Sequence, residues 1–202
     1  SSGGVGKHST QEGMKKCLLG GTKFINISPL KNDSPEFLKA EHIAIRPNTD
    51  TALMLSLAYI LITNNSYDKD FINKYTVGFD SFESYVLGKK NNAPCTPEWA
   101  SNITNIPIKK IKNLAEKLIT KKTMISMSWS LQRASRGEQP LWMGITLACM
   151  IGQIGTAGGG FGFGYSAVNS TGDSFTKIPW KSLPQGQNNI KDFIPVARIT
   201  DM

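Results

Sequence analysis

His42-Ile43-Ala44-Ile45-Arg46-Pro47-Asn48-Thr49-Asp50-Thr51-Ala52-Leu53-Met54-Leu55 decides the fold class, because its periodicity changes within a few residues. His42 to Ile45 is a short strand stopped by Arg46-Pro47, since proline has no N–H to give a sheet ladder. Asp50 stands where a helix N-cap belongs. From Thr51 to Ile62, Leu53, Met54, Leu55, Leu57, Ala58, Ile60 and Leu61 surround the helical axis. A helix apolar nearly all round is expected to be buried.

The same alternation continues outward. Upstream, Gly20-Gly21 punctuates a helix-like stretch, and Lys23-Phe24-Ile25-Asn26-Ile27-Ser28 is a short strand ended by Pro29. Downstream, residues 68–103 read as short helices and turns anchored by Phe71, Tyr75, Phe79, Phe82, Tyr85 and Trp99. A clearer helix runs from Pro107 to about Thr120, with Pro107 suited to its first turn and Ile108, Ile111, Ala115 and Leu118 at helical spacing. Thr123 to Met127 is a strand, and a helix follows a polar turn from about Glu138 to Gly152. Gly155 to Gly164 reads as a glycine-rich loop, and residues 165–194 show little periodicity. Strands alternating with helices predict an α/β fold, a Rossmann-like parallel sheet flanked by helices. Such sheets bind ligands at the carboxyl ends of their strands. The loops in question are Ser28 to Asn32, Asn48 to Asp50, and Trp129 to Gly137.

Composition narrows the class of ligand. The 202 residues are 40% hydrophobic and 19% charged, ordinary for a folded protein. The net charge of +8 would suit nucleic acid, but the lysines are scattered, without a long basic run or interleaved aromatics. No nucleic-acid partner is expected, and an anionic small ligand fits the charge equally well. Three cysteines, Cys17, Cys95 and Cys149, are too few and too far apart for a disulfide framework or a zinc site, and Cys149 belongs to an apolar stretch. No apolar run reaches the roughly 18 residues of a membrane span. The chain does not begin with Met and stops at Ala197-Arg198-Ile199-Thr200-Asp201-Met202, which reads as a helix in progress. It is therefore expected to be an internal piece of a longer protein.

Two glycine motifs fall short of their patterns. Gly3-Gly4-Val5-Gly6-Lys7-His8-Ser9 approaches a P-loop, but Ser1 takes the first glycine's place and His8 that of the magnesium-holding hydroxyl. Gly160-Phe161-Gly162-Phe163-Gly164 lacks the flanking strand and helix of a dinucleotide fingerprint. His8 and His42 are the only histidines, and Glu12, Glu36, Glu41 and Glu138 have no paired or metal-like spacing. The residues alone point to a nucleotide-binding α/β domain without its own catalytic group or metal ligand.

Two longer stretches carry a resemblance. Ile45 to Leu55 resembles the "I-x-P-x-T-D-x-A-L-M-L" segment of bis(molybdopterin guanine dinucleotide) enzymes, the dimethyl sulfoxide reductase family. Trp129-Ser130-Leu131-Gln132-Arg133, Gly137-Glu138-Gln139-Pro140 and Leu147 to Gly162 resemble a later segment of that family, and Asp192 to Ile199 its continuation. The likeness is nearest to the trimethylamine N-oxide, dimethyl sulfoxide and biotin sulfoxide reductases. It covers nearly the whole chain, more weakly over residues 1–20. Ala157 departs from the proline that relatives often carry there.

The resemblance implies roles. Ser28, Pro29, Leu30 and Lys31 correspond to a loop beneath one guanosine dinucleotide, and Asn48, Thr49 and Asp50 to the next contact. Trp129, Ser130, Gln132 and Arg133 correspond to a turn over the pterin that lines the approach to molybdenum. The family's molybdenum-ligating serine is expected upstream of this segment, so no serine here is assigned that role. The implied division is 1–40 as the end of a preceding α/β segment with a cofactor-binding strand-loop, 41–165 as the Rossmann-like dinucleotide-binding domain, and 166–202 as an irregular connection onward. The parent enzyme would reduce an N-oxide or S-oxide with a bis(molybdopterin guanine dinucleotide) molybdenum cofactor, take electrons from a donor protein, and reside in the periplasm, with the cytoplasm as alternative. The fragment alone is expected to be inactive. The competing readings are a non-enzymatic Rossmann-like nucleotide-binding module and a P-loop ATPase fragment.

Overall fold

The apolar run after Asp50 forms a helix, α2 (Asp50–Thr63), which is the central post of the computed structural model. Ala58 and Leu61 in its middle are fully enclosed, and Leu53 and Leu57 nearly so. The structure describes residues 10–90, 92–163, 183–184 and 186–187. The P-loop-like segment, all but four residues of the weakly periodic tail, and the Asp192–Ile199 continuation fall outside them.

A helix apolar on all sides needs neighbours on all sides, and four helices supply them. These are α4 (Phe79–Val86), α5 (Pro97–Thr104), α6 (Ile108–Thr120) and α7 (Glu138–Met150), all packed against α2. Helix α6 contributes the stripe Ile111, Leu114, Ala115 and Leu118, and turns Lys109, Lys110 and Lys112 outward or to its rim. Helix α3 (Lys69–Tyr75) lies against α7, and α1 (Thr10–Leu19) opens the described chain. Cys95 is buried, Cys149 half-buried, and burial pushes both thiols up, so they behave as packing groups.

Strand pairing is parallel, as the alternation of elements predicts. The described residues hold two two-stranded sheets. In one, β1 (Ile25–Ile27) pairs with β2 (Glu41–Ile43), Asn26 opposite His42. In the other, β3 (Met124–Met127) pairs with β4 (Gly160–Phe163), Ile125 opposite Phe161. The connection from β3 to β4 runs through α7, completing a βαβ unit. Ile25, Ile27, Ile125 and Met127 pack on the helical core.

Three local expectations are corrected. Gly160 to Phe163 is a strand, because alternating glycine and phenylalanine has the period-two pattern of a sheet, with Gly160 and Gly162 buried. Pro107 precedes α6 as its N-cap with extended backbone, since its φ of −57° is paired with a ψ of 137°. Asp50 is the first residue of α2 and the cap is Thr49, whose carbonyl accepts the N–H groups of Ala52 (3.1 Å) and Leu53 (3.3 Å). Asn48 causes the offset. Its left-handed backbone (φ 64°) reverses the chain just before the helix, a conformation asparagine tolerates better than most residues.

Helix α7 reaches its sheet through a glycine. A Cβ added at Gly144 would stand 2.3 Å from Met127 Sδ and 3.0 Å from Phe161 Cε2, so a larger residue there would have to displace the Met127 side chain.

Because α2 is the shared wall of the core, truncating it should cost more than any surface change. Leu61→Ala is expected to lower unfolding free energy by about 2–5 kcal/mol, and Val77→Ala, at a residue 99% exposed, by at most about 0.5 kcal/mol. Urea unfolding of the full-length protein carrying each change checks this.

Candidate functional site at the carboxyl ends of the parallel strands

Two parallel strands end side by side, so whatever follows β1 and β2 shares one edge. After β1 come Ser28 to Lys31, and after β2 come Asn48 to Asp50. Ser28 is buried and densely bonded. Its N–H donates to the Ile43 carbonyl (3.2 Å), its carbonyl accepts His42 Nε2–H (2.9 Å), and its hydroxyl accepts the Leu30 N–H (3.2 Å) while donating to Asp33 Oδ2. His42 therefore has a structural task, holding the two strand ends together. Pro29, Leu30 and Lys31 beyond this anchor are exposed, Leu30 by 58%. A hydrophobic side chain held out at a strand end is available to lie beneath a flat ligand.

Asn48 is exposed, whereas Thr49 and Asp50 are half-buried. The Thr49 hydroxyl donates back to the Arg46 carbonyl (2.7 Å), and the Arg46 N–H to the Thr104 carbonyl (2.9 Å), so the loop is tied to α5. Burial raises the Asp50 carboxyl above its ordinary value, opposed by the smaller effect of a hydrogen bond from its own backbone N–H. A carboxylate that loses water without an equivalent replacement is primed for an outside donor.

The second group follows β3. Trp129–Arg133 is a 3-10 turn whose N-cap, Ser128, accepts the Ser130 N–H (3.3 Å), with the two serine hydroxyls 2.8 Å apart. Trp129, Ser130, Gln132 and Arg133 are all exposed, which leaves the turn open to a ligand. Trp129 is steadied by Phe163 at the end of β4, ring centroids 5.7 Å apart and inclined by 44°. The site residues expected from sequence thus fall into two clusters, each at the carboxyl edge of its own sheet.

Sequence reading passed over Asp33 and gave Gly137, which it placed at the end of its loop, no role. Asp33 ends the 3-10 turn Lys31–Asp33 and brings a carboxylate back to Ser28. Gly137 closes the second turn, since a Cβ there would stand 2.3 Å from the Gln132 carbonyl oxygen. Both depend on a chain reversal, to which hydrophobic periodicity is blind, although a glycine five residues after Gln132 was a usable signal. On the face of β1–β2 that carries Asn26 and His42 lies a cleft of about 610 Å³, lined also by Lys31, Asn32, Ser34, Glu36 and Lys39. Among the described residues, no helix is long and apolar enough to cross a membrane.

Known proteins resemble this chain along its length. The family described as Molybdopterin oxidoreductase matches residues 8–192. A biotin sulfoxide reductase from Cereibacter sphaeroides is 43% identical over 201 residues, covering 100% of this chain and 27% of its own length. A dimethyl sulfoxide/trimethylamine N-oxide reductase from Rhodobacter capsulatus is 41% identical over 212 residues, covering 98% of this chain and 25% of its own. The chain thus spans about a quarter of the length of the curated relatives it matches. Acetylene hydratase from Pelobacter acetylenicus shares the fold, with a TM-score of 0.64 at 20% identity over 74% of this chain and 20% of that one. These matches bear out the resemblance and do not favour the free-standing nucleotide module or the P-loop ATPase. The chain belongs to the molybdopterin oxidoreductase family, which implies a molybdenum–pterin cofactor.

Proposed function

We propose that this segment forms part of the pocket for a molybdopterin guanine dinucleotide in an enzyme that reduces N-oxides or S-oxides. The observation that carries the reading is Asp50: a half-buried carboxylate at the first turn of a buried helix, on the ligand edge of a parallel sheet, with burial raising its pKa. An ionised carboxylate has only acceptors to offer, and the guanine edge presents a ring N–H and an amino group as adjacent donors. The two fit. A dinucleotide lying across the edge would meet Ser28 to Lys31 on one side and Asn48 to Asp50 on the other. The names of the relatives support the oxide substrates.

The remaining roles follow from chemistry. Trp129 offers a flat apolar wall and Arg133 a planar pair of donors for pyrophosphate or a polar oxygen. Ser130 and Gln132 add hydrogen-bonding groups on the same turn. When bound, molybdenum supplies the oxygen-atom transfer, and this chain orients the cofactor and shapes access. An electron-donor protein is the partner such an enzyme requires, and the family resemblance favours a periplasmic address.

Asp50 should show opposed effects on binding and stability. In the full-length enzyme, Asp50→Ala is expected to lower guanosine monophosphate released per protein, and Asp50→Asn to lower it less, because one acceptor survives. A carboxyl raised by burial contributes stability that is present below its unfolded pKa and lost as pH rises through its folded pKa. Cofactor-free Asp50→Asn should therefore resist urea at least as well as wild type at neutral pH, with any advantage shrinking under acid. Undiminished nucleotide content in folded Asp50→Ala would remove the guanine contact.

The Trp129–Arg133 turn is tested by geometry rather than charge. Arg133→Lys keeps the charge and loses the fork, so N-oxide and S-oxide reduction should fall about ten- to a hundredfold. Gly137→Ala, by displacing the Gln132 backbone, should lower activity while Arg133 is intact. Full turnover per molybdenum in either variant would count against a role for this turn.

A further inference from the structure

The glycine-rich stretch that leads from α7 into β4 takes no part in the site described above, and its backbone folds about one residue, Gln153. Thr156 donates to the Gln153 carbonyl through both its N–H (3.2 Å) and its hydroxyl (2.8 Å). Gly155 and Gly158 are left-handed, with φ of 84° and 77°, which turns the chain back over that side chain. A Cβ added at Gly159 would stand 2.9 Å from Gln153 Cβ and 3.0 Å from its Oε1. The bare glycine thus leaves the room in which the Gln153 amide lies.

The amide uses that room to reach another element. Gln153 Oε1 accepts the Thr123 N–H (2.6 Å) and its Nε2 donates to the Lys121 carbonyl (3.3 Å), at the entrance to β3. One end accepts and the other donates, as the peptide of a neighbouring strand would. The Thr123 carbonyl accepts the Gly160 N–H (3.2 Å), so one residue is tied both to Gln153 and to the start of β4. From there the register runs from Met124 opposite Gly160 to Met127 opposite Phe163. At its far end, roughly 13 Å along the strand, Trp129 meets Phe163. A slip of one residue would turn every side chain of β3 to the other face and part that pair.

We infer that Gln153 is a positioning residue for the Trp129–Arg133 turn: clasped by the glycine loop, its amide sets the register of β3 on β4 and so the place where Trp129 stands. The glycines serve this amide rather than a phosphate. The inference rests on the role proposed above for the turn, and adds to it a determinant at the opposite end of the strand.

The experiment measures kcat and KM per molybdenum in the full-length enzyme, with trimethylamine N-oxide and dimethyl sulfoxide as probes and a reduced dye as electron donor. Gln153→Met keeps the bulk and loses both hydrogen bonds. A misplacement of about 1 Å near the chemistry can cost about a hundredfold, so kcat/KM should fall about ten- to a hundredfold. Gly159→Ala, which crowds the amide, should match it, and Gln153→Glu, which still accepts the Thr123 N–H, should lose less. Coupling separates positioning from mere support. Combined with Trp129→Ala, the losses should fall well short of multiplying, because the residue being positioned is gone. Losses that multiply, or full turnover in Gln153→Met, would overturn the inference and leave the role of the turn standing where Trp129→Ala is impaired. Full turnover in Trp129→Ala would remove Trp129 from the site and this inference with it. Where Gln153→Met does not fold, Gln153→Glu carries the same cycle.

Discussion

The burial of α2 on every side is the constraint from which the rest follows. A helix with Ala58 and Leu61 fully enclosed cannot shift along its axis without opening voids against several neighbours at once. Its first residue is therefore fixed in space, and that residue is Asp50. The helix that contributes most to the core thus begins with a carboxylate, a few residues after the end of β2. This coupling explains why the chain reverses so sharply at Asn48: the strand must end, turn and enter a helix whose position is already determined. The left-handed asparagine is the strained link between them.

The second edge is organised differently. Helix α7 is pressed on β3 and β4 through Gly144, and Gly137 lets the turn before α7 fold against its own backbone. Here close contact at two glycines, with side chains of the sheet at Gly144 and with the Gln132 backbone at Gly137, sets the position of the turn that carries Trp129 and Arg133. The first edge should be rigid because it hangs from the core. The second should be sensitive to any added methyl group, since it has no slack.

Most of the helical framework was legible in the sequence, because α2 and α6 carry long periodic patterns and tertiary packing had little to overrule. Parallel pairing followed from the alternation of elements. Helix and strand boundaries were less legible: the capping position slid from Asp50 to Thr49, since a single left-handed residue leaves no mark in hydrophobicity. Strand β4 was hidden by its glycines, whose composition suggests a loop although their spacing is that of a sheet. At the site, resemblance supplied the candidate residues and physics supplied reasons for some of them. Asp33 was missed by both routes, because its relevance lies in a contact with Ser28 that only the folded turn creates.

The closeness of α7 to its sheet has a consequence for oxidative damage. Met127 Sδ occupies the space that a side chain at position 144 would need, two residues before Trp129. Conversion of that thioether to its sulfoxide adds a polar oxygen where helix and strand already touch. The added atom crowds the contact between α7 and β3, and parting the two to relieve it would carry the Trp129 turn along. A single methionine thus makes the geometry of the Trp129 turn dependent on the oxidation history of the protein.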